Sequence, residues 1–409
     1  MILLKAVALV TRSFSAFVFL IAATPVFALP GEVSGELSID ATVFGAPALY
    51  EGQEENYASV AGQPEYRLYW DEDRQKLQFI LFGRLDSEDR RRSHADIREL
   101  EWSIARARWE FSFGISRVFW GVTESRHLVD IVNQTDLVEA ADGEEKLGQP
   151  MARLALIPPF GTLHLYVLPY FRERSFPGVK GRSRPPLPVN VDQVEYESRD
   201  RMRHVDGAVR WEHSIGFFDY GLSYFGGTAR DPKLLAGVDG NGRPFLLPRY
   251  ELIRRGSLDA QLTLGGWLLK LEGLYEEREY APAENYFAAV AGFEYTIGGI
   301  FESRMDVGVL TEYLFDERGE EAPQPFDDDV FWGARVALNN EADTDFLVGV
   351  IVDRHRLTTL LRLEGGHRIG QNWRLAVEAS VVDKAPAEDA ALYPVRNDDW
   401  FSLRMSYFF

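Results

Sequence analysis

Trp400-Phe401-Ser402-Leu403-Arg404-Met405-Ser406-Tyr407-Phe408-Phe409 closes the chain and decides how the rest is read. Phe401, Leu403, Met405, Tyr407 and Phe409 share one face; Ser402, Arg404, Ser406 and the exception Phe408 share the other. Side chains alternate across a strand, so a period of two means a strand with one apolar and one mostly polar face. Working backwards, Trp373, Leu375, Val377, Ala379 and Val381 alternate with Arg374, Ala376, Glu378 and Ser380. Leu361 and Leu363 alternate with Arg362 and Glu364, and Trp267, Leu269, Leu271 and Tyr275 with Lys270, Glu272 and Glu276. Phe218, Tyr220, Leu222 and Tyr224 do the same against Asp219, Gly221 and Ser223. Each segment runs about 9–12 residues, enough to cross a bilayer as a tilted strand and longer than the about 5–6 of a soluble sandwich strand.

The connections alternate in length. Short ones fall near 73–75, 105–107, 158–161, 213–216, 265–266, 298–303, 340–343 and 369–372. Longer polar ones fall near 45–62, 87–94, 121–150, 174–203, 228–249, 281–285, 317–328, 354–356 and 385–396, although 354–356 is itself short. Short turns on one side and long loops on the other is the topology of an outer-membrane barrel. The segmentation predicts an all-β fold, a transmembrane antiparallel β-barrel of eighteen strands, with sixteen as the alternative cut. All nine tryptophans lie near predicted strand ends, where two aromatic girdles belong. Trp120, Trp332 and Trp400 are placed at the long-loop rim. Pro169 sits inside Leu163 to Glu173, where it cannot donate to a ladder; a bulge or an early strand end is expected.

Composition agrees. Of 409 residues, 46% are hydrophobic and 13% aromatic, which excludes a disordered chain. Cysteine is absent, so there is no disulfide framework, thiolate metal site or Cys nucleophile. The formal charge of -19, from 63 acidic and 44 basic side chains, lacks the basic footprint that nucleic acid demands. One strongly apolar stretch is present. Lys5 and Arg12 precede Ser13 to Ala23, and Val26 and Ala28 occupy the small-residue positions of a processing site. This predicts a signal peptide over 1–28 and a barrel over 29–409; a retained anchor helix is the competing reading.

With its leader, its alternating strands and its terminal Leu403-x-Met405-x-Tyr407-x-Phe409, the chain resembles the Gram-negative outer-membrane porin family. Trp120-Gly121-x-x-Glu124-Ser125 followed by Asp130-Ile131-Val132-Asn133 is also similar to large porin-like barrels. The resemblance implies export to the bacterial outer membrane and contact with its lipid and lipopolysaccharide. It implies assembly by the barrel-assembly machinery, which reads Leu403, Met405, Tyr407 and Phe409. It also implies a channel passing small hydrophilic solutes by passive diffusion, as a monomer or homotrimer.

Polar strand faces must point into the lumen, because lipid will not accept them. The expected lumen wall includes Arg84, Arg335, Arg362, Glu364, Arg374, Glu378 and Arg404, with Arg67, Glu99, Glu101, Asp206, Arg210, Asp259, Lys270, Glu272, Asp306 and Glu312. Ion pairs that merely brace the wall are the competing role. The third long loop, 121–150, carries Leu128, Val129, Ile131, Val132 and Leu137, too apolar for a loop in water. It is expected to fold inward, with Glu124, Arg126, His127, Asp130, Asn133 and Asp136 facing the constriction. Lys180-Gly181-Arg182-Ser183-Arg184 is a basic cluster suited to lipopolysaccharide phosphates or anionic solutes, or to simple solvation.

Catalysis finds no motif: there is no G-x-S-x-G, H-E-x-x-H or Walker loop. The seven histidines show no metal-ligand spacing, and no cofactor is expected. Asp239-Gly240-Asn241-Gly242 lacks the ligand pattern of a calcium loop and reads as a turn. The rival to a passive channel is a dedicated export or uptake component acting with envelope partner proteins. With a first strand expected near Glu32, no N-terminal plug domain is expected, which argues against a plugged, energy-coupled receptor.

Overall fold

The computed structural model describes residues 30–140, 142–322 and 326–409, so the expected signal peptide over 1–28 lies outside the described residues. The wall begins with β1 (Glu32–Phe44), β2 (Asn56–Trp70), β3 (Gln75–Asp86), β4 (His94–Arg106), β5 (Trp109–Ser116), β6 (Gln149–Leu156) and β7 (Thr162–Leu168). The short β8 (Glu195–Tyr196) stands outside it, as do β11 (Lys233–Val238) and β12 (Pro244–Tyr250). Between them the wall continues as β9 (Asp206–Ile215) and β10 (Phe218–Thr228). It is completed by β13 (Leu252–Leu264), β14 (Trp267–Arg278), β15 (Tyr286–Ile297), β16 (Asp306–Asp316), β17 (Asp328–Ala337) and β18 (Asp345–Asp353). The last three strands are β19 (Thr359–Ile369), β20 (Trp373–Asp383) and β21 (Trp400–Phe408).

These form one 18-stranded antiparallel sheet, and β1 pairs with β21, Asp40 opposite Arg404, to close it. Closure leaves no free edge, the condition for spanning a bilayer with strands. Short turns at 71–74, 107–108, 157–161, 216–217, 265–266, 298–305, 338–344 and 370–372 share one rim with both ends of the wall. The longer connections share the other. Within them β8, β11 and β12 make a small separate sheet, and Asp239 to Gly242 is the turn of its hairpin.

The barrel is inside out relative to a soluble protein. In β14, Trp267, Leu269, Leu271 and Tyr275 are 40–48% exposed on the outside, while Glu272 and Glu276 are fully buried within. Only lipid outside makes that distribution favourable, since apolar surface is costly in water and buried charge needs partners. Strand β7 stops at Leu168, one residue before Pro169, which is the early end anticipated.

Two expectations about the wall are corrected. Trp120 and Trp400 do not belong to a girdle. Trp120 is 4% exposed inside the barrel, and Trp400 faces the lumen, because the strand alternation gives the outward position to Phe401. Nor is the inner face polar throughout. Leu274, Ala288, Val290, Leu310, Leu314, Phe331, Ile351 and Leu360 form an apolar patch on it.

Candidate functional site: a lumen divided by an inward loop

The connection between β5 and β6, residues 117–148, turns into the barrel and binds its wall on several sides. Gly121 starts the turn with φ +135, and a Cβ there would lie 2.9 Å from the Glu272 carboxylate. Glycine alone permits this backbone and this approach. Glu272, on β14, accepts hydrogen bonds from the Val122 and Thr123 amides (2.6 and 2.9 Å), the Thr123 hydroxyl (2.7 Å) and the Val129 amide (3.0 Å). Glu312, on β16, accepts from the Glu124 and Ser125 amides (2.8 Å each) and the Ser125 hydroxyl (2.5 Å). Both carboxylates are almost wholly buried, so these charge-assisted bonds compensate their desolvation. Glu124 itself pairs with Arg335 at 2.8 Å and lies 3.8 Å from Lys270.

Apolar contacts complete the docking. Trp120, Val129, Ile131 and Val132 pack on Met151, Tyr166, Leu168, Ala208, Phe225 and Ile253 of β6 to β13. Leu128 enters the patch on β14 to β19. Burying such side chains contributes about 1.5–3 kcal/mol each. Arg230 donates to the Val132 carbonyl at 2.9 and 3.1 Å and pairs with Asp206 at 2.8 Å. Further on, a register shift against β3 leaves Arg98 as the extra residue of β4, and it bonds Asp136 at 2.8 Å. Bulges re-aim side chains in this way. Burial alone would raise the Asp136 pKa, but His94 (3.7 Å), Arg98 and the Ser175 hydroxyl outweigh it and hold the carboxyl at about 2.

A cavity of about 360 Å³ remains between the loop and the wall from β19 through β21 to β3. Glu36, Ser38, Arg84, Glu364, Glu378 and Arg404 line it from the wall, and Glu139, Ala140, Asp142, Glu144 and Glu145 from the loop. Phe44, Tyr57 and Trp400 line its long-loop end. Asp40 joins Arg84 (2.9 Å) to Arg404, and Arg84 also holds Glu139 at 2.9 Å. Burial, with Asp142 beside it, pushes the Glu144 carboxyl above its ordinary range. A second cavity, about 740 Å³, lies under 117–122 towards the short turns, among Arg153, His164, Tyr166, Arg210 and Glu212.

The long-loop rim is bridged over the first cavity. Arg182 is buried against Asp398 (2.9 Å), donates to the Ala46 and Asn397 carbonyls, and stacks on Phe44. Arg184 donates to the Glu51, Val179, Pro185 and Pro186 carbonyls. The basic cluster at 180–184 therefore turns its arginines inward, and only Lys180 stays at the surface, paired with Glu54 and Glu88. Burial lifts Asp398 to about 6 against the opposing pull of Arg182.

Of the anticipated residues, Glu124, Arg126, His127, Asp130, Asn133 and Asp136 all lie in the inward loop. None lines the 360 Å³ cavity, but Glu124, Arg126, His127, Asp130 and Asn133 line a smaller one of about 140 Å³ beside the loop. They also fasten the loop: Arg126 lies 3.6 Å from Asp316, His127 packs on Phe119, and Asp130 lies 3.3 Å from Lys146. Asn133 accepts from the Val118 amide and donates to the Ser116 and Leu147 carbonyls. On the wall, Arg84, Glu364, Glu378 and Arg404 line the cavity. Arg335 holds Glu124, Arg362 reaches Asp142 at 3.4 Å, and Arg374 sits near the short turns beside Asp345. Leu403, Met405, Tyr407 and Phe409 occupy the outward register of β21 and its end, with Phe409 exchanging backbone bonds with Gly35. The loop side of the cavity, Glu139 to Glu145, was missed; its acidic, glycine-containing sequence looks like any solvated turn.

No protein-family model matches the sequence, and neither does any curated protein. Solved structures do. Wzi of Escherichia coli, an outer-membrane protein involved in group 1 capsule assembly and described as a carbohydrate-binding β-barrel, aligns with a TM-score of 0.50 at 11% identity, over 90% of this chain and 83% of that one. OmpT, an outer-membrane protein of Vibrio cholerae in trimer form, aligns at 0.46 and 11%, over 93% and 100%. A variant of the Rh. blastica porin aligns at 0.44 and 11%, again over 93% and 100%. At such identity the likeness is one of fold, an outer-membrane type of barrel.

Proposed function

We propose that the protein is an outer-membrane channel that passes small hydrophilic solutes by passive diffusion. The route is an off-centre passage between the inward loop and the wall from β19 to β3. The observation that carries this is the charged 360 Å³ cavity, which extends from Glu36 and Gln63 on the short-turn half to Phe44, Tyr57 and Trp400 on the other. An inner wall kept only for stability would be closed there by apolar packing, of the kind that Leu274, Val290, Leu310 and Leu314 make between β14 and β16. The leader-like segment 1–28 and the terminal Phe409 support export and insertion in the outer membrane, with lipopolysaccharide around the long-loop rim. Folded protein in a planar bilayer tests the channel: discrete conductance steps are expected.

A second reading is favoured by the bridged rim around Arg182 and the firm docking of 117–148. In that case the barrel binds a solute or works with envelope partners without conducting by itself, and the carbohydrate-binding barrel among its structural likenesses gives a class to try. Absence of conductance from a demonstrably folded barrel selects this reading.

A further inference from the structure

We propose that the passage is cation-selective, with Glu364 and Glu378 as the residues that set the preference. The inference deepens the channel assigned above and rests on it. It follows from which charges along the cavity are already neutralised. All five arginines that line it have carboxylate partners. Arg84 holds Asp40 and Glu139, Arg404 holds Asp40, and Arg98 holds Asp136 and Asp96. Arg92 lies 3.4 Å from Asp86, and Arg117 3.4 Å from Glu99. The acidic side is different. Among the described residues, Glu36, Glu144, Glu145, Glu364 and Glu378 line the same cavity with no Lys, Arg or His within salt-bridge distance.

Register sharpens the point. Glu364 on β19 and Glu378 on β20 are direct cross-strand partners, two like charges side by side on the inner face. Like charges in that position destabilise a sheet and are not placed there for folding. The loop brings Glu144 and Glu145 to the opposite side of the cavity. A solute crossing here meets carboxylates on two sides of one cavity, and in physiological salt such charges act over about 8 Å. The device is a field rather than a chelating site: among the described residues no group of three potential ligands converges on one point. Small inorganic cations and amine-bearing solutes are the class it admits; chloride and carboxylate solutes are held back.

The test uses the folded protein in a planar bilayer under a KCl gradient, reading the permeability ratio of potassium to chloride from the reversal potential. Potassium should be preferred roughly tenfold, and E364Q/E378Q should lower the ratio severalfold. Neither glutamate holds an ion pair, so the double variant should still fold. E144Q/E145Q attacks the same field from the loop and should lower the ratio in the same direction. D239N, in an outer hairpin turn, removes a charge far from the cavity and should leave the ratio unchanged. A channel that conducts but prefers chloride overturns the inference and leaves the channel standing. So does a ratio indifferent to both glutamine pairs. Silence from folded wild type overturns both.

Discussion

Replacing Glu272 by Gln tests whether the inward loop is what narrows the barrel. One oxygen of Glu272 serves three donors, from Val122 and Thr123, and the other serves the Val129 amide. A glutamine keeps its carbonyl for the three and turns its NH2 on the Val129 N–H. That site exchanges a charge-assisted bond for two opposed donors in a fully buried place, and the remaining three bonds lose their charge. A bond to a charged group contributes about 1.5–3 kcal/mol, and leaving a buried donor unsatisfied costs about 1–3 kcal/mol. The weaker anchor should therefore cost about 3 kcal/mol, which multiplies the undocked population roughly a hundredfold at 1.4 kcal/mol per decade. The ladder between β13, β14 and β15 uses backbone groups only, so the wall should keep its unfolding transition. The assay is paired: limited proteolysis of 117–148 in refolded protein, and single-channel recording. E272Q should cut faster and show larger or more frequent openings, and E272Q/E312Q more so. Unchanged protease protection and unchanged conductance in the double variant would refute the role given to these two carboxylates.

Three further outcomes are expected. R230M removes two bonds to the Val132 carbonyl and leaves buried Asp206 short of its guanidinium, so it should cost about 3–5 kcal/mol in denaturant or thermal unfolding; a change under 1 kcal/mol would contradict the geometry. The Asp136 carboxyl is held down at about 2, so its contribution is complete above the ordinary carboxylate range and is lost as pH falls towards 2. Protease protection of 117–148 should accordingly survive at pH 4 and weaken towards pH 2, and D136N, which lacks the charge at every pH, should already be less protected at pH 4. R182M takes the guanidinium from between Ala46, Asn397 and Asp398, and should raise the cutting rate in 384–399 severalfold with little change in the wall's melting temperature.

Strand alternation made the wall legible because lipid and lumen impose opposite requirements on neighbouring residues, and that signal is local. It located β21, β20 and β14 and the inward faces of Arg84, Glu364, Glu378 and Arg404. The inward course of the third loop was legible for the same kind of reason: Leu128, Val129, Ile131 and Val132 need a surface, and a barrel offers one only on its inside. What the loop meets there is not local. Glu272 and Glu312 lie about a hundred and fifty residues and more from the amides they bind, and no spacing rule joins them. Hence the polar residues of 124–136 read as a constriction, and the spacing did not show that the fold also uses them as fastenings while several line a small cavity beside the loop. Arg182 and Arg184 misled in the opposite sense. A run of cations in an acidic chain looks like a surface patch, but carbonyls from 46, 51 and 397 wait to receive it. Trp120 follows the loop inward for the same reason.

One sheet thus gives its inward carboxylates two unlike duties, and what faces each one decides which. Glu272 and Glu312 meet backbone amides of the loop, so their charge is consumed by fixed dipoles and never reaches a solute. Among the described residues Glu364 and Glu378 meet no such donors and no cation within salt-bridge distance, so their charge is available to the solvent in the cavity. The loop enforces the division, because a single crossing of the lumen covers the first pair and leaves the second bare. Releasing the loop should therefore alter more than the width of the channel. With 117–148 undocked, Glu272, Glu312 and Lys270 would join the lumen surface while Glu144 and Glu145 moved away from Glu364. E272Q/E312Q, which removes both newly bared charges, should widen the pore and weaken its preference for cations together. A wider pore with undiminished selectivity would mean that Glu364 and Glu378 act without the loop, and that the loop governs size alone.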